Sequence, residues 1–225
     1  MDIVVAPDAQ GAAHEAASWV ARQLRNAVTR RGAATVAFSG GSTPALMLAE
    51  LATMQVPWDA TTVFQVDERV APDGDPDRNA GLLDALRALG PRRPTIHLMP
   101  VLSPDLAAAA DSYAALLPDR LDVVHLGLGD DGHTASWPPG DPVIDCGGSV
   151  AISGEYKGRV RMTLTVHSVN SARRRTVLAT GSPKAPIIER WMLHDPDLPV
   201  NRVNRTGTLV ILDTAAAARL PYQDR

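Results

Sequence analysis

Apolar runs with the length of buried strands alternate with amphipathic stretches, and this alternation constrains the fold more than any other feature. The runs lie at 2–6, 34–38, 61–66, 95–99, 121–128, 176–180 and 208–213. Between them, apolar residues recur at helical spacing, at 13–28, 46–52, 82–89, 105–117 and 187–192. Strands joined through helices require right-handed crossovers, which build a mainly parallel β-sheet with helices on both faces. The sequence therefore predicts an α/β fold in a single domain over 1–225.

The remaining segments give narrower expectations. Residues 150–153 and 161–166 have the composition of strands, and the GEYKG sequence at 154–158 is expected to be a turn. Asn79 is expected to start a regular helix. A short Ala-rich helix is expected after the strand that ends at Asp213.

Composition excludes several classes of function. The formal net charge is −3, which gives no general attraction to nucleic acid or to a membrane surface. No apolar run reaches the ~20 residues that span a bilayer, and the first residues have no basic leader of the secretory type. Cys146 is the only cysteine, so an intrachain disulfide cannot form. We therefore expect a cytoplasmic protein.

The most distinctive stretch is VHLGLGDDGHTASWPPG at 124–140, where a strand runs into three glycines, two aspartates and a histidine. Gly127, Gly129 and Gly132 have the spacing of a dinucleotide-binding turn. However, Asp130 and Asp131 would repel a pyrophosphate, and SWPPG would break the helix that should follow. The stretch is therefore a candidate site at the carboxyl end of a strand, without a nicotinamide or flavin cofactor.

A second strand-to-helix junction has the composition of a phosphate site. The sequence SGGSTP at 39–44 contains Gly40 and Gly41, followed by Ser42 and Thr43. Either hydroxyl residue could cap the next helix, with Pro44 at its first helical position. Free amides at a helix start bind phosphate, and paired glycines let a ligand approach closely.

Charged residues near other strand ends complete the candidate site. Asp67 and Arg69 follow the third strand within the sequence DER. Arg161 begins a predicted strand, and Lys184 lies at a helix start, where a cation opposes the helix dipole. This placement favours an anionic ligand near Lys184. The run at 173–175 is expected to be a solvated edge and is given no role.

The residue types favour proton transfer without a metal. His133 with an adjacent acid, Asp131, can accept a proton from water or a hydroxyl group. The chain has no GxSxG nucleophile elbow, and no His, Cys and acid spacing is typical of a zinc or iron site. We therefore expect metal-free chemistry on a phosphorylated small molecule.

The order of the motifs resembles one known family. FSGGSTP, VDERVAPDGDPDRNAG, LGLGDDGHTAS, RMTLT and TGSPKAPII occur in the order and at the spacing of 6-phosphogluconolactonases. The resemblance covers nearly the whole chain. It implies a Rossmann-like fold shared with sugar-phosphate isomerases and amino-sugar-phosphate deaminases. It also implies hydrolysis of 6-phospho-D-glucono-1,5-lactone to 6-phosphogluconate, a step of the pentose phosphate pathway, with no cofactor.

The resemblance also implies a role for each matching residue. His133 matches the general base that activates water, and Asp131 would orient its ring. Asp67 occupies the position of an acid that serves as the base in the deaminases. The expected contacts to the phosphate and hydroxyl groups of the substrate are Gly40, Gly41, Ser42, Thr43, Arg69, Arg161 and Lys184. Stabilisation of the developing oxyanion is the alternative role for Arg69.

Two other functions remain open at this stage. An amino-sugar-6-phosphate isomerase or deaminase would carry a glutamate shortly after the histidine, whereas this chain has SWPPG there. A sugar-phosphate-binding protein without catalytic activity is the second alternative, and the intact histidine and acid disfavour it. The sequence does not decide between a monomer and a weak dimer.

Overall fold

Ten strands form two sheets within residues 1–220, the part of the chain that the computed structural model describes. In chain order they are β1 (Asp2–Ala6), β2 (Ala34–Phe38), β3 (Thr61–Gln65), β4 (Asp67–Arg69), β5 (Thr95–His97), β6 (Val123–Leu126), β7 (Val150–Tyr156), β8 (Arg159–Leu164), β9 (Arg174–Ala179) and β10 (Thr208–Asp213). Seven of them form one sheet in the order β1-β10-β9-β6-β2-β3-β5, with every neighbouring pair parallel. The predicted parallel sheet is confirmed.

Helices cover both faces of this sheet, as predicted. They are α1 (Ala9–Arg31), α2 (Ser42–Thr53), α3 (Asp84–Arg87), α4 (Leu106–Ala114), α5 (Val166–Ser171) and α6 (Ala185–Met192). One apolar cluster joins one face of the sheet to α1, α2 and α3, and a second joins the other face to α4, α5 and α6. Alternation along β6 explains the division, since Val123 faces the first cluster and Val124 the second. Within residues 1–220, no helix has the length and hydropathy needed to cross a membrane.

The second sheet, which the sequence did not predict, has three antiparallel strands in the order β4-β8-β7. The expected turn over 154–158 is wrong, because β7 continues to Tyr156 and the turn is only Lys157-Gly158. Both turn residues have positive φ, 50° and 76°, as a two-residue hairpin of this twist requires. The hairpin places Tyr156 opposite Arg159.

Val66 joins the two sheets. It is fully buried and lies between β3 and β4. Its N–H donates to the carbonyl of Phe38 at the end of β2 (2.9 Å), and its carbonyl accepts from the N–H of Leu164 at the end of β8 (2.7 Å). The chain therefore passes from one sheet to the other through a single residue.

Three predicted elements differ in the structure. The helix expected from Asn79 is a 3-10 turn, Asn79–Leu83, before the short α3, because the Glu68 carboxylate holds the N–H groups of Asn79 and Ala80 (2.7 and 2.9 Å). The strand expected to reach Val166 ends at Leu164, since Thr165 caps α5. Residues 214–219 form turns rather than the expected helix, and 221–225 lie outside the described residues.

Two side-chain expectations are also wrong. Neither Ser42 nor Thr43 caps α2; the N-cap is Gly41, whose φ of 125° favours glycine, and no side chain caps the helix. Pro44 is therefore the third residue of α2 rather than the first. The 173–175 run is not wholly a solvated edge. Arg175 is buried and donates to the carbonyls of Ala172 (2.8 Å) and Asn170 (3.0 Å), so it holds loops together.

Candidate active site

A cleft of about 230 Å³ lies at the carboxyl ends of the central parallel strands. Its walls include Ser39 after β2, Asp67 after β3, Gly127 after β6 and Thr180 after β9. Most of the residues predicted from sequence line it, namely Gly40, Gly41, Ser42, Thr43, Asp67, Arg69, His133, Arg161 and Lys184. Asp131 does not line the cleft itself but is hydrogen-bonded to His133, which does. The fold thus brings together segments that are far apart in sequence.

His133 and Asp131 form a hydrogen-bonded pair. The imidazole Nδ1 lies 2.6 Å from Asp131 Oδ1, which also accepts from the His133 backbone N–H at 3.1 Å. Burial alone would raise the Asp131 pKa, but hydrogen bonds from Tyr156 and His133 hold it well below its ordinary value. An ionised Asp131 can only accept, so the neutral imidazole carries its proton on Nδ1. Its Nε2 then has a lone pair available.

Burial also keeps His133 neutral. Desolvation lowers the His133 pKa, although the Asp131 hydrogen bond and charge oppose this by favouring the imidazolium. The net direction is downward, so the ring is uncharged near neutral pH. An uncharged imidazole beside a cleft is the form that a general base requires.

Gly129 and Gly132 shape the turn that carries this pair. A Cβ on Gly129 would lie 2.0 Å from His133 Nδ1, so the ring occupies the place of a side chain. Gly132 has a φ of 85° in the tight turn between Gly129 and His133, whose backbones are also hydrogen-bonded (2.8 Å). Gly129 and Gly132 therefore serve the placement of the histidine, whereas a Cβ on Gly127 would lie 3.7 Å from its nearest neighbour, the Gly40 carbonyl oxygen.

Tyr156 contacts the Asp131–His133 pair without lining the cleft, and it was missed from sequence. Its hydroxyl donates to Asp131 Oδ2, and its ring meets the His133 ring edge-on at 5.3 Å. The Arg161 guanidinium lies 5.0 Å from the tyrosine ring centre and Lys157 Nζ lies 5.2 Å from it. The two-residue Lys157-Gly158 turn was the available signal, because it extends β7 to Tyr156.

A second hydrogen-bonded network in the cleft surrounds Asp67. Buried Asp67 accepts from Ser136 Oγ at 2.7 Å. Asn79 donates from Nδ2 to the Asp67 carbonyl (2.9 Å) and accepts at Oδ1 from Arg69 Nη1 (2.8 Å). A Cβ on Gly40 would lie 1.7 Å from Asn79 Oδ1, so the glycine permits this close packing. Asn79 thereby orients Arg69, a role that the sequence analysis did not assign.

The end of the cleft near α2 is suited to an oxyanion. The first turn of α2 lines it, and no side chain caps the amides there. Lys184 also lines it and pairs with Asp130, whose pKa its hydrogen bond and charge lower. With Arg69, Arg161 and Lys157, the cations outnumber the carboxylates around the cleft. Among residues 1–220, no three His, Cys, Asp or Glu side chains converge as metal ligands do.

The fold is that of a protein class that acts on phosphorylated sugars. The family described as glucosamine-6-phosphate isomerases/6-phosphogluconolactonase matches residues 7–211, and the chain belongs to it. The resemblance inferred from sequence is thereby confirmed.

Individual relatives agree with this assignment. The chain is 31% identical to a 6-phosphogluconolactonase from a Synechocystis strain, over 89% of this chain and 90% of that protein. Its fold is similar to that of a 6-phosphogluconolactonase from Shewanella baltica, with a TM-score of 0.85, 24% identity and coverage of 95% and 97% of the two chains. A monomeric glucosamine-6-phosphate deaminase has a similar fold, with a TM-score of 0.80, 17% identity and coverage of 97% and 100%.

Proposed function

We propose that the protein is a 6-phosphogluconolactonase, which hydrolyses 6-phospho-D-glucono-1,5-lactone to 6-phosphogluconate. The observation that carries this proposal is the Asp131–His133 pair, held at 2.6 Å beside a cleft with excess positive charge. A base and an anion site in one cleft suit hydrolysis of a phosphorylated lactone. Membership of the family supports the same substrate class.

In the proposed reaction, His133 acts as general base. Nε2 takes a proton from water as the water oxygen attacks the lactone carbonyl, and a tetrahedral oxyanion forms. The oxyanion then collapses, the bond from the carbonyl carbon to the ring oxygen breaks, and the imidazolium returns its proton to that oxygen. Asp131 holds the ring in the required tautomer and stabilises the imidazolium. No covalent enzyme intermediate and no metal is needed.

The phosphate would lie against the first turn of α2 and Lys184. Backbone amides at a helix start and an ammonium group both favour a dianion. Lys184 would exchange its contact with Asp130 for one with the phosphate. Arg69 and Arg161 are a register pair on β4 and β8 and both line the cleft, so they would contact the lactone oxygens.

The deaminase alternative is less well supported by the site. The segment 136–140, where a deaminase would need a glutamate, contains no carboxylate. Instead Ser136 donates to Asp67 and Trp137 is buried, donating to the Leu164 carbonyl at 2.8 Å. Asp67 is therefore engaged by a neighbouring hydroxyl.

The test is an assay of purified protein with freshly prepared phosphogluconolactone, following proton release above the spontaneous rate. We expect rapid hydrolysis, and His133→Ala should lose about 10²–10⁴-fold in turnover. Binding of 6-phosphogluconate by the variant should persist, because the phosphate contacts lie on other elements. Release of ammonia from glucosamine 6-phosphate would favour the deaminase, and binding without turnover would favour a binding protein.

A further inference from the structure

We propose that Tyr156 is a positioning residue for the His133 base, acting through Asp131. The proposal rests on the lactonase function above and adds a residue to its machinery. Tyr156 does not line the cleft, whereas His133 does. Its effect would therefore pass through the Asp131 carboxylate.

The hydrogen bonds around Asp131 leave that carboxylate little freedom. Oδ1 accepts from the His133 ring (2.6 Å) and backbone (3.1 Å), while Oδ2 accepts from the Tyr156 hydroxyl. Tyr156 Oη also lies 3.2 Å from His133 Nδ1. The phenol proton goes to Asp131 and the Nδ1 proton mainly to Asp131, so this longer contact is the weaker branch of a shared hydrogen bond. Tyr156 thus fixes the carboxylate that fixes the imidazole.

The hairpin holds Tyr156 firmly in this position. The residue ends β7 opposite Arg159, and the Arg161 guanidinium lies 5.0 Å from its ring centre. Burial, and then the hydrogen bond to Asp131, raise the Tyr156 pKa above its ordinary value. The phenol therefore stays protonated and remains a donor over the working pH range.

Loss of the Tyr156 hydroxyl should change the His133 pKa in one direction. The charged or titratable groups that act on His133 are Asp131, Lys157 and Asp67, with Tyr156 in ring contact. Without the phenol, the Asp131 charge is less compensated and stabilises the imidazolium more strongly. The His133 pKa should then rise. Since only the neutral ring accepts a proton, the acid limb of kcat/KM should move to higher pH.

The experiment compares Tyr156→Phe with the wild type, with Asp131→Asn and with Arg159→Gln. Phenylalanine keeps the ring and its cation contacts, and Arg159 is a matched hairpin position that pairs with Asp75 and Asp77 instead. For Tyr156→Phe we expect kcat to fall about ten-fold, a fraction of what a general base contributes. KM should change little, and the acid limb should rise by about one pH unit. Asp131→Asn should move the acid limb of the kcat/KM profile to lower pH, and Arg159→Gln should leave the acid limb at the wild-type pH.

Titration of the His133 imidazole by NMR provides a readout that does not need turnover. If the wild type fails to hydrolyse the lactone, the function is wrong, yet a raised His133 pKa in Tyr156→Phe would still support the positioning role. A variant that loses only thermal stability, with kcat and the His133 pKa unchanged, would overturn the proposal. The proposal would also be overturned if the His133 pKa moved downward in both Tyr156→Phe and Asp131→Asn.

Discussion

At Gly129, one added methyl group should lower the catalytic rate while leaving the protein folded. A Cβ there would lie 2.0 Å from His133 Nδ1, 2.1 Å from Cε1 and 2.8 Å from Asp131 Oδ1. Ordinary van der Waals contact begins near 3.4 Å, so the ring must retreat by about 1.4 Å (3.4 − 2.0). Gly129 is not among the residues with positive φ, so alanine should fit its backbone without strain.

The size of the effect follows from that displacement. A shift of this magnitude breaks the 2.6 Å contact between His133 and Asp131 and moves Nε2 away from the attacking water. Misplacement of a reacting group by ~1 Å costs about 10²-fold in rate. We therefore expect Gly129→Ala to lose about 100-fold in kcat. KM should change much less, because the phosphate contacts on α2 and Lys184 are not displaced.

The assay is steady-state lactone hydrolysis above background, with circular dichroism and thermal melting as tests of folding. Gly127→Ala is the matched control in the same stretch, since its Cβ would lie 3.7 Å from the nearest atom, the Gly40 carbonyl oxygen. That variant should keep most of its turnover. A folded Gly129→Ala enzyme with more than about a third of wild-type kcat would refute the placement of His133 as the base, given the ~10²–10⁴-fold that such a base contributes.

Three further predictions concern other parts of the protein. Lys184→Ala should raise KM for the phosphorylated lactone about ten-fold, and unphosphorylated gluconolactone should be indifferent; equal losses on both would place Lys184 at the carbonyl. Activity should survive EDTA, and loss with rescue by one divalent ion would contradict the metal-free mechanism. Burial lowers the pKa of His125 to about 3 in the folded protein. As the pH falls below ~6.5, the unfolded chain protonates this histidine while the folded protein does not, so the free energy of unfolding falls by up to about 1.4 kcal/mol per pH unit. The free energy of unfolding of His125→Leu, measured with urea, should lack this dependence on pH. An unchanged pH dependence would show that other groups cause it.

The sequence predicted the parts of the site that depend on local chemistry. Strand–helix alternation was enough for the parallel sheet, and parallel strands bring their carboxyl ends to one edge. Residues that follow those strands, such as Gly40, Asp67 and His133, were therefore found in one cleft. Lys184 was recognised because a cation at a helix start opposes the dipole.

The parts that were missed depend on contacts between distant segments. Tyr156 meets Asp131 only because β7 continues three residues past Ser153, the end of the predicted strand, and pairs with β8. Asn79 orients Arg69 because the Glu68 carboxylate holds the chain at Asn79 in an irregular turn. Periodicity describes isolated segments, so it contains no information on a backbone shape that is imposed by a buried side chain elsewhere.

The position of Val66 has a consequence for how such enzymes can diverge. Through its two backbone hydrogen bonds, it sets the spacing between the β2–α2 junction and the β8 strand of the hairpin. An insertion at Val66 would separate the first turn of α2, the proposed phosphate site, from the β7–β8 hairpin, which carries Lys157 and Arg161 at the cleft, and binding of every phosphorylated substrate would be lost. Residues added at the exposed Lys157-Gly158 tip would change only the hairpin side of the cleft. We therefore expect substrate range among relatives to evolve through the length and composition of that tip, with the junction held at one residue.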